Sequence, residues 1–143
     1  MSDTLNPPHT SHCLCGAVSI TASDINPKFS VCHCDTCRTW GGAPFFAVQC
    51  GKNVTLTGGD NVKRFASSPW ATRGFCGECG THLFYQLNKT GEYNIPVGLF
   101  AQLPDLTMQM QYFSDQRPGY YCFSEPTQEM TKAEIMKYFS ESV

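Results

Sequence analysis

Cys32-His33-Cys34-Asp35-Thr36-Cys37 places three cysteines within six residues, a density that a hydrophobic core does not require. Two flanking pairs, Cys13-Leu14-Cys15 and Cys76-Gly77-Glu78-Cys79, complete the pattern. Paired cysteines on tight turns each supply two corners of a tetrahedral zinc site, so the outer pairs together make a closed four-thiolate site. Gly16 and Gly80 follow the pairs and allow turns whose backbone N–H groups point at the sulfurs. The central trio supplies only three ligands. Three protein ligands and one exchangeable position is the pattern of a catalytic zinc, and three thiolates favour a soft thiol visitor over an activated water. Chemistry at a substrate sulfur is therefore expected. If His33, Cys50, Cys122 or a distant histidine fills the fourth corner, the site becomes a second structural staple.

The rest of the composition is consistent with metal. The chain has 143 residues, nine cysteines and a formal net charge of -2. The odd cysteine count, the tight spacings and a polar N-terminus without signal-peptide character favour metal thiolates in a reducing cytosol over disulfides. The sparse charge gives no footprint for nucleic acid, and no apolar run is long enough to span a membrane. One domain over residues 1–143 is expected, with 1–11 as a loose N-terminal arm and a zinc core over about 12–100.

The elements between the cysteines read as short strands. Val18, Ile20 and Ala22 alternate with Ser19 and Thr21, giving a half-buried strand from Gly16. Asp24 to Pro27 reads as a turn, Lys28 to His33 as a strand, and Arg38 to Gly42 as a loop. Ala43 to Gln49 reads as a buried strand. Val54–Thr57 and Asn61–Ala66 look like a hairpin around Gly58-Gly59-Asp60. Further strands follow over 72–75, 81–87, 92–99 and 108–113. A single helix begins at the capping box Thr131-Lys132-Ala133-Glu134, with Ile135, Met136 and Phe139 as its apolar stripe. The fold class is mainly β, with coiled antiparallel β-sheets built around the structural four-cysteine zinc site and a short C-terminal helix.

With these motifs in view, the chain resembles the glutathione-dependent formaldehyde-activating enzyme family. The resemblance rests on Cys13-x-Cys15-Gly16, Cys32-His33-Cys34-x-x-Cys37-Arg38, Gly42-Ala43, and Phe75-Cys76-x-x-Cys79-Gly80-Thr81. It implies a structural zinc on Cys13, Cys15, Cys76 and Cys79, and a second, more labile zinc on Cys32, Cys34 and Cys37 that is associated with glutathione. The implied activity is that of a carbon–sulfur lyase acting on a small thiol adduct, joining glutathione and formaldehyde as S-hydroxymethylglutathione or reversing that step. Arg38 and Arg73 are candidates to hold a substrate carboxylate, and Trp40 to wall the pocket. The competing reading is a zinc-stapled β-rich binding module with two purely structural metals. Cys50 and Cys122 read as small buried hydrophobes.

Overall fold

The computed structural model describes residues 8–142, with side chains to Tyr138. Among the described residues eleven strands form two sheets. The smaller joins β1 (His9–His12), β2 (Ser19–Ala22) and β5 (Val54–Thr57), all antiparallel. β2 realises the expected alternation: Ile20 and Ala22, together with Val18 just before it, are fully buried. β1 takes residues expected to lie in a loose arm. Its His-Thr-Ser-His sequence has no apolar face, but pairing with β2 satisfies its backbone, and Thr10 and Thr21 join through their hydroxyls at 2.8 Å. Residues 1–7 of that arm lie outside the described residues.

The larger sheet has eight strands: β3 (Asn26–Cys32), β4 (Phe45–Gln49), β6 (Val62–Ser68), β7 (Ala71–Cys76), β8 (His82–Leu87), β9 (Tyr93–Pro96), β10 (Thr107–Tyr112) and β11 (Gln128–Met130). Their spatial order is β11-β10-β3-β4-β9-β8-β7-β6. Pairing is antiparallel from β3 to β6, whereas β10 runs parallel to both β3 and β11. The mainly β expectation is met, with this parallel flank as an addition that the sequence did not announce. The expected hairpin over 54–66 does not form. Its turn exists, but β5 pairs with β2 while β6 pairs with β7, so the chain crosses there from one sheet to the other.

A buried cluster unites the sheets, with Ile20 and Ala22 of β2 meeting Val48 of β4, Leu83 and Phe84 of β8, and Ile95 of β9. Gly74 on β7 admits the Phe84 ring, since a Cβ there would fall 2.2 Å from its Cζ. Among the described residues two α-helices complete the fold: α1 (Asp35–Gly41), where a loop was expected, and α2 (Lys132–Ser142). The capping box at α2 is reciprocal. Thr131 N–H donates to Glu134 Oε1 at 2.9 Å, and Glu134 N–H donates to Thr131 Oγ1 at 3.3 Å. Ile135 is buried and Met136 is largely exposed, while the Phe139 side chain lies outside the described set. Among the described residues no helix is long and apolar enough to cross a membrane.

Candidate metal centre

The sequence places both cysteine groups at the ends of strands, where the backbone turns and side chains can converge. Cys13, Cys15, Cys76 and Cys79 bring their sulfurs within 4.8 Å of one another. Cys13 and Cys15 are 3.6 Å apart, and Cys15 and Cys76 are 3.7 Å apart. A Zn–S bond of about 2.3 Å in a tetrahedron requires sulfurs about 3.8 Å apart, so this donor set fits a divalent thiolate-seeking metal. The two turns share one plan. Cys13 N–H donates to Val18 O, and Cys76 N–H donates to Thr81 O. Gly16 and Gly80 sit at φ 81° and 80°, a left-handed conformation open to glycine at little cost. Val18 N–H donates to Cys13 Sγ at 3.3 Å. The Thr81 hydroxyl lies 3.1 Å from Cys79 Sγ and accepts Leu14 N–H at 3.2 Å, linking the turns directly. Hydrogen bonds from the Thr81 hydroxyl and N–H lower the Cys79 thiol to about 5.

Cys32, Cys34 and Cys37 form a second group, also within 4.8 Å of one another. Cys32 ends β3, Cys34 caps α1, and Cys37 lies buried in its first turn. The Cys34 sulfur accepts Cys37 N–H at 3.4 Å, doing the work of a capping oxygen. Hydrogen bonds from the Cys32 and Cys37 thiols, aided by that N–H and by Arg73, lower the Cys34 thiol to about 2. Cys32 is pushed upward by hydrogen bonds to Cys34 and Cys37 and by burial. Among the described residues no fourth His, Cys, Asp or Glu joins the trio. Three soft donors with no fourth protein ligand among the described residues fit a metal that keeps a ligand site for exchange.

The remaining candidates take definite places. His33 points away from the trio and is fully buried between Gln111 Oε1 at 2.8 Å and Tyr121 Oη at 2.6 Å. Gln111 Oε1 also accepts from Arg117, so His33 donates from Nε2 and accepts at Nδ1. Arg38 donates from Nε to His33 O at 2.8 Å and forms an ion pair with Asp35. It also borders an open hollow of about 230 Å³ with Thr39, Tyr120 and Tyr121. Arg73 does not face that hollow. It is buried against Cys37, and its guanidinium carbon lies 5.8 Å from the Trp40 ring centre. Trp40 stacks on Phe65 and meets Phe75 and His82 edge-on. Cys50 is buried as expected, whereas Cys122 is exposed. Tyr85, Ser67, Gln111 and Tyr121 escaped the sequence reading, since Tyr85 and Ser67 reach the site through Arg73, and Gln111 and Tyr121 meet His33 across 78 and 88 residues of sequence. A larger groove of about 670 Å³ lies by Lys28, Thr107 and Gln128, at the opposite ends of β3 and β10.

The family model described as glutathione-dependent formaldehyde-activating enzyme matches residues 8–116. The chain belongs to this family. An uncharacterized lyase of Schizosaccharomyces pombe is 37% identical over 132 residues, covering 92% of this chain and 96% of the relative. A crystal structure of a Rhodobacter sphaeroides protein superposes with a TM-score of 0.54 at 22% identity, covering 66% of this chain and 90% of that one. That likeness concerns the fold alone. The family match takes in both cysteine groups and ends before Tyr121, so the ring that packs on His33 lies outside the matched residues.

Proposed function

We propose that the protein is a carbon–sulfur lyase of this family, joining a small thiol to an aldehyde and reversing that step. Glutathione and formaldehyde are the proposed pair, with S-hydroxymethylglutathione as the adduct. The observation that carries the reading is the second cysteine trio, three soft donors without a fourth protein ligand among the described residues. The family match and the lyase named in Schizosaccharomyces pombe support it. The purely structural alternative needs a protein atom in that fourth corner. Cys13, Cys15, Cys76 and Cys79 are proposed to hold a structural zinc, and Cys32, Cys34 and Cys37 a second one.

Zinc held by the trio would supply a position where a thiol is kept as its thiolate below its free pKa of about 8.5. In the forward direction the substrate sulfur bonds to the aldehyde carbon, the C=O π pair moves to oxygen, and the proton lost by the thiol ends on that oxygen. The protein's own contribution is placement. Cys34 and Cys37 are fixed by the first turn of α1, and Arg38 ties that turn back to His33 O. Trp40, Phe45 and Tyr85 surround the Arg73 head, shielding the Cys37 side from water. Arg38, at the hollow beside Tyr121, is the candidate for a carboxylate of a tripeptide thiol.

Replacing the bound metal by Co²⁺ tests the reading, because its visible spectrum reports each change of ligand. Addition of glutathione is expected to shift the bands of one of two sites. A spectrum indifferent to glutathione and to other small thiols overturns the proposal.

A further inference from the structure

Arg73 heads the fully buried side chains by volume, at 2% exposure. Nε donates to Ser67 Oγ at 3.0 Å and Nη2 donates to Cys37 Sγ at 3.3 Å. Nη1 is buried and has no hydrogen-bond partner. The rings of Tyr85, Trp40 and Phe45 lie 4.9, 5.8 and 5.9 Å from the guanidinium carbon. Among the described residues no carboxylate forms an ion pair with it. A guanidinium cannot shed its proton, and an uncompensated charge away from water is strongly unfavourable. The compensating negative charge must then come from the cysteine trio, whose Cys37 Sγ is the sulfur it touches.

Charge counting gives this contact a consequence. Three thiolates around a divalent metal sum to one net negative charge, which Arg73 cancels. A thiolate arriving at the fourth position then leaves a single negative charge in the site. Without Arg73 it would leave two. A neutral donor, such as an imidazole nitrogen, adds no charge in either case and gains nothing from the arginine. We propose that Arg73 is a specificity-determining residue, selecting an anionic soft ligand over a neutral one at the fourth position of the Cys32–Cys34–Cys37 site. The inference rests on the reading that the trio holds a divalent metal and receives a thiol.

The test uses the full chain loaded with Co²⁺ and two probes, glutathione and imidazole, each titrated by visible absorption. Arg73→Gln keeps N–H donors for Cys37 and Ser67 but removes the charge. It is expected to lower the glutathione affinity by about tenfold or more while leaving the imidazole affinity within about twofold. Arg73→Lys keeps the charge, loses the planar fork, and is expected to preserve the glutathione preference within about threefold. An unchanged glutathione-to-imidazole preference in Arg73→Gln overturns the inference alone. A wild-type spectrum that no thiol alters overturns the functional reading beneath it. Should Arg73→Gln not fold, Arg73→Lys decides, since a tenfold loss of preference there is incompatible with selection by charge.

Discussion

The two cysteine groups are built from the same atoms and differ in what surrounds them. The four-cysteine group joins turns more than sixty residues apart in the chain, and its donors are backbone N–H groups and one threonine hydroxyl. Every corner is protein, and Cys15 and Cys79 reach the surface. The three-cysteine group comes from one short stretch, a strand end running into a helix, and closes no long loop. It instead faces a buried arginine and a wall of rings. On the proposed reading the contrast separates two uses of thiolate: one group would constrain the chain, while the other would offer a fourth position to a ligand.

The largest effect should come from breaking the first group. Structural zinc contributes on the order of 10–16 kcal/mol in small domains, comparable to or above a typical net stability of about 5–15 kcal/mol. Cys76→Ser is therefore expected to abolish the cooperative melt in far-ultraviolet circular dichroism and to aggregate. A soluble variant with the native melting curve would remove the asymmetry between the groups. Cys34→Ser should instead stay folded and lower the bound metal from about two to about one per chain, as measured by elemental analysis. It should also lose the thiol response of the Co²⁺ spectrum. If it unfolds as fully as Cys76→Ser, the trio is a staple as well.

Acid should sharpen the comparison from the side of the trio, where two sheltered histidines are held neutral. Burial lowers His82, which packs against Trp40 and Phe45, to about 4, and burial also lowers His33. The unfolded chain takes up these protons near pH 6.5, so between about 6.5 and 4 the unfolded state binds more of them. Stability contributed by His82 is present above that window and is lost as pH falls through it. Urea melts at pH 7 and pH 4.5 should show the drop, and H82Q should flatten it. The smallest effect belongs to Thr81→Val, which removes the acceptor for Leu14 N–H and the hydroxyl beside Cys79. A loss of about 0.5–1.5 kcal/mol is expected, seen as a decrease in Tm of about 2–4 °C per kcal/mol. No decrease would mean that the turns are joined by metal alone.

Features encoded locally were legible in the sequence. The cysteine spacings, the alternation of Val18, Ile20 and Ala22, and the Thr131–Glu134 capping box each show their physics within a few residues. α1 was not legible, because it is seven residues long with no apolar stripe, and its cap is a thiol rather than a usual oxygen. β1 was missed for lack of an apolar face. At Gly58-Gly59-Asp60 the turn chemistry was readable, but not the partner of each arm, since β2 claims β5 from a distance. Arg73 read as one of two interchangeable arginines. Its meeting with Cys37 depends on β7 and α1 coming together across 36 residues of sequence.

The parallel flank has a consequence for synthesis. His33 N–H donates to Tyr112 O, and Cys32 lies opposite Tyr112 in the register of β3 and β10. One wall beside the trio is thus made by a strand that emerges from the ribosome roughly 75 residues after Cys37, on the order of ten seconds later at translation rates of about 5–20 residues per second. Throughout that interval the nascent chain presents three neighbouring sulfurs without their shelter, so early metal delivery would protect the polypeptide from oxidation before its fold is complete.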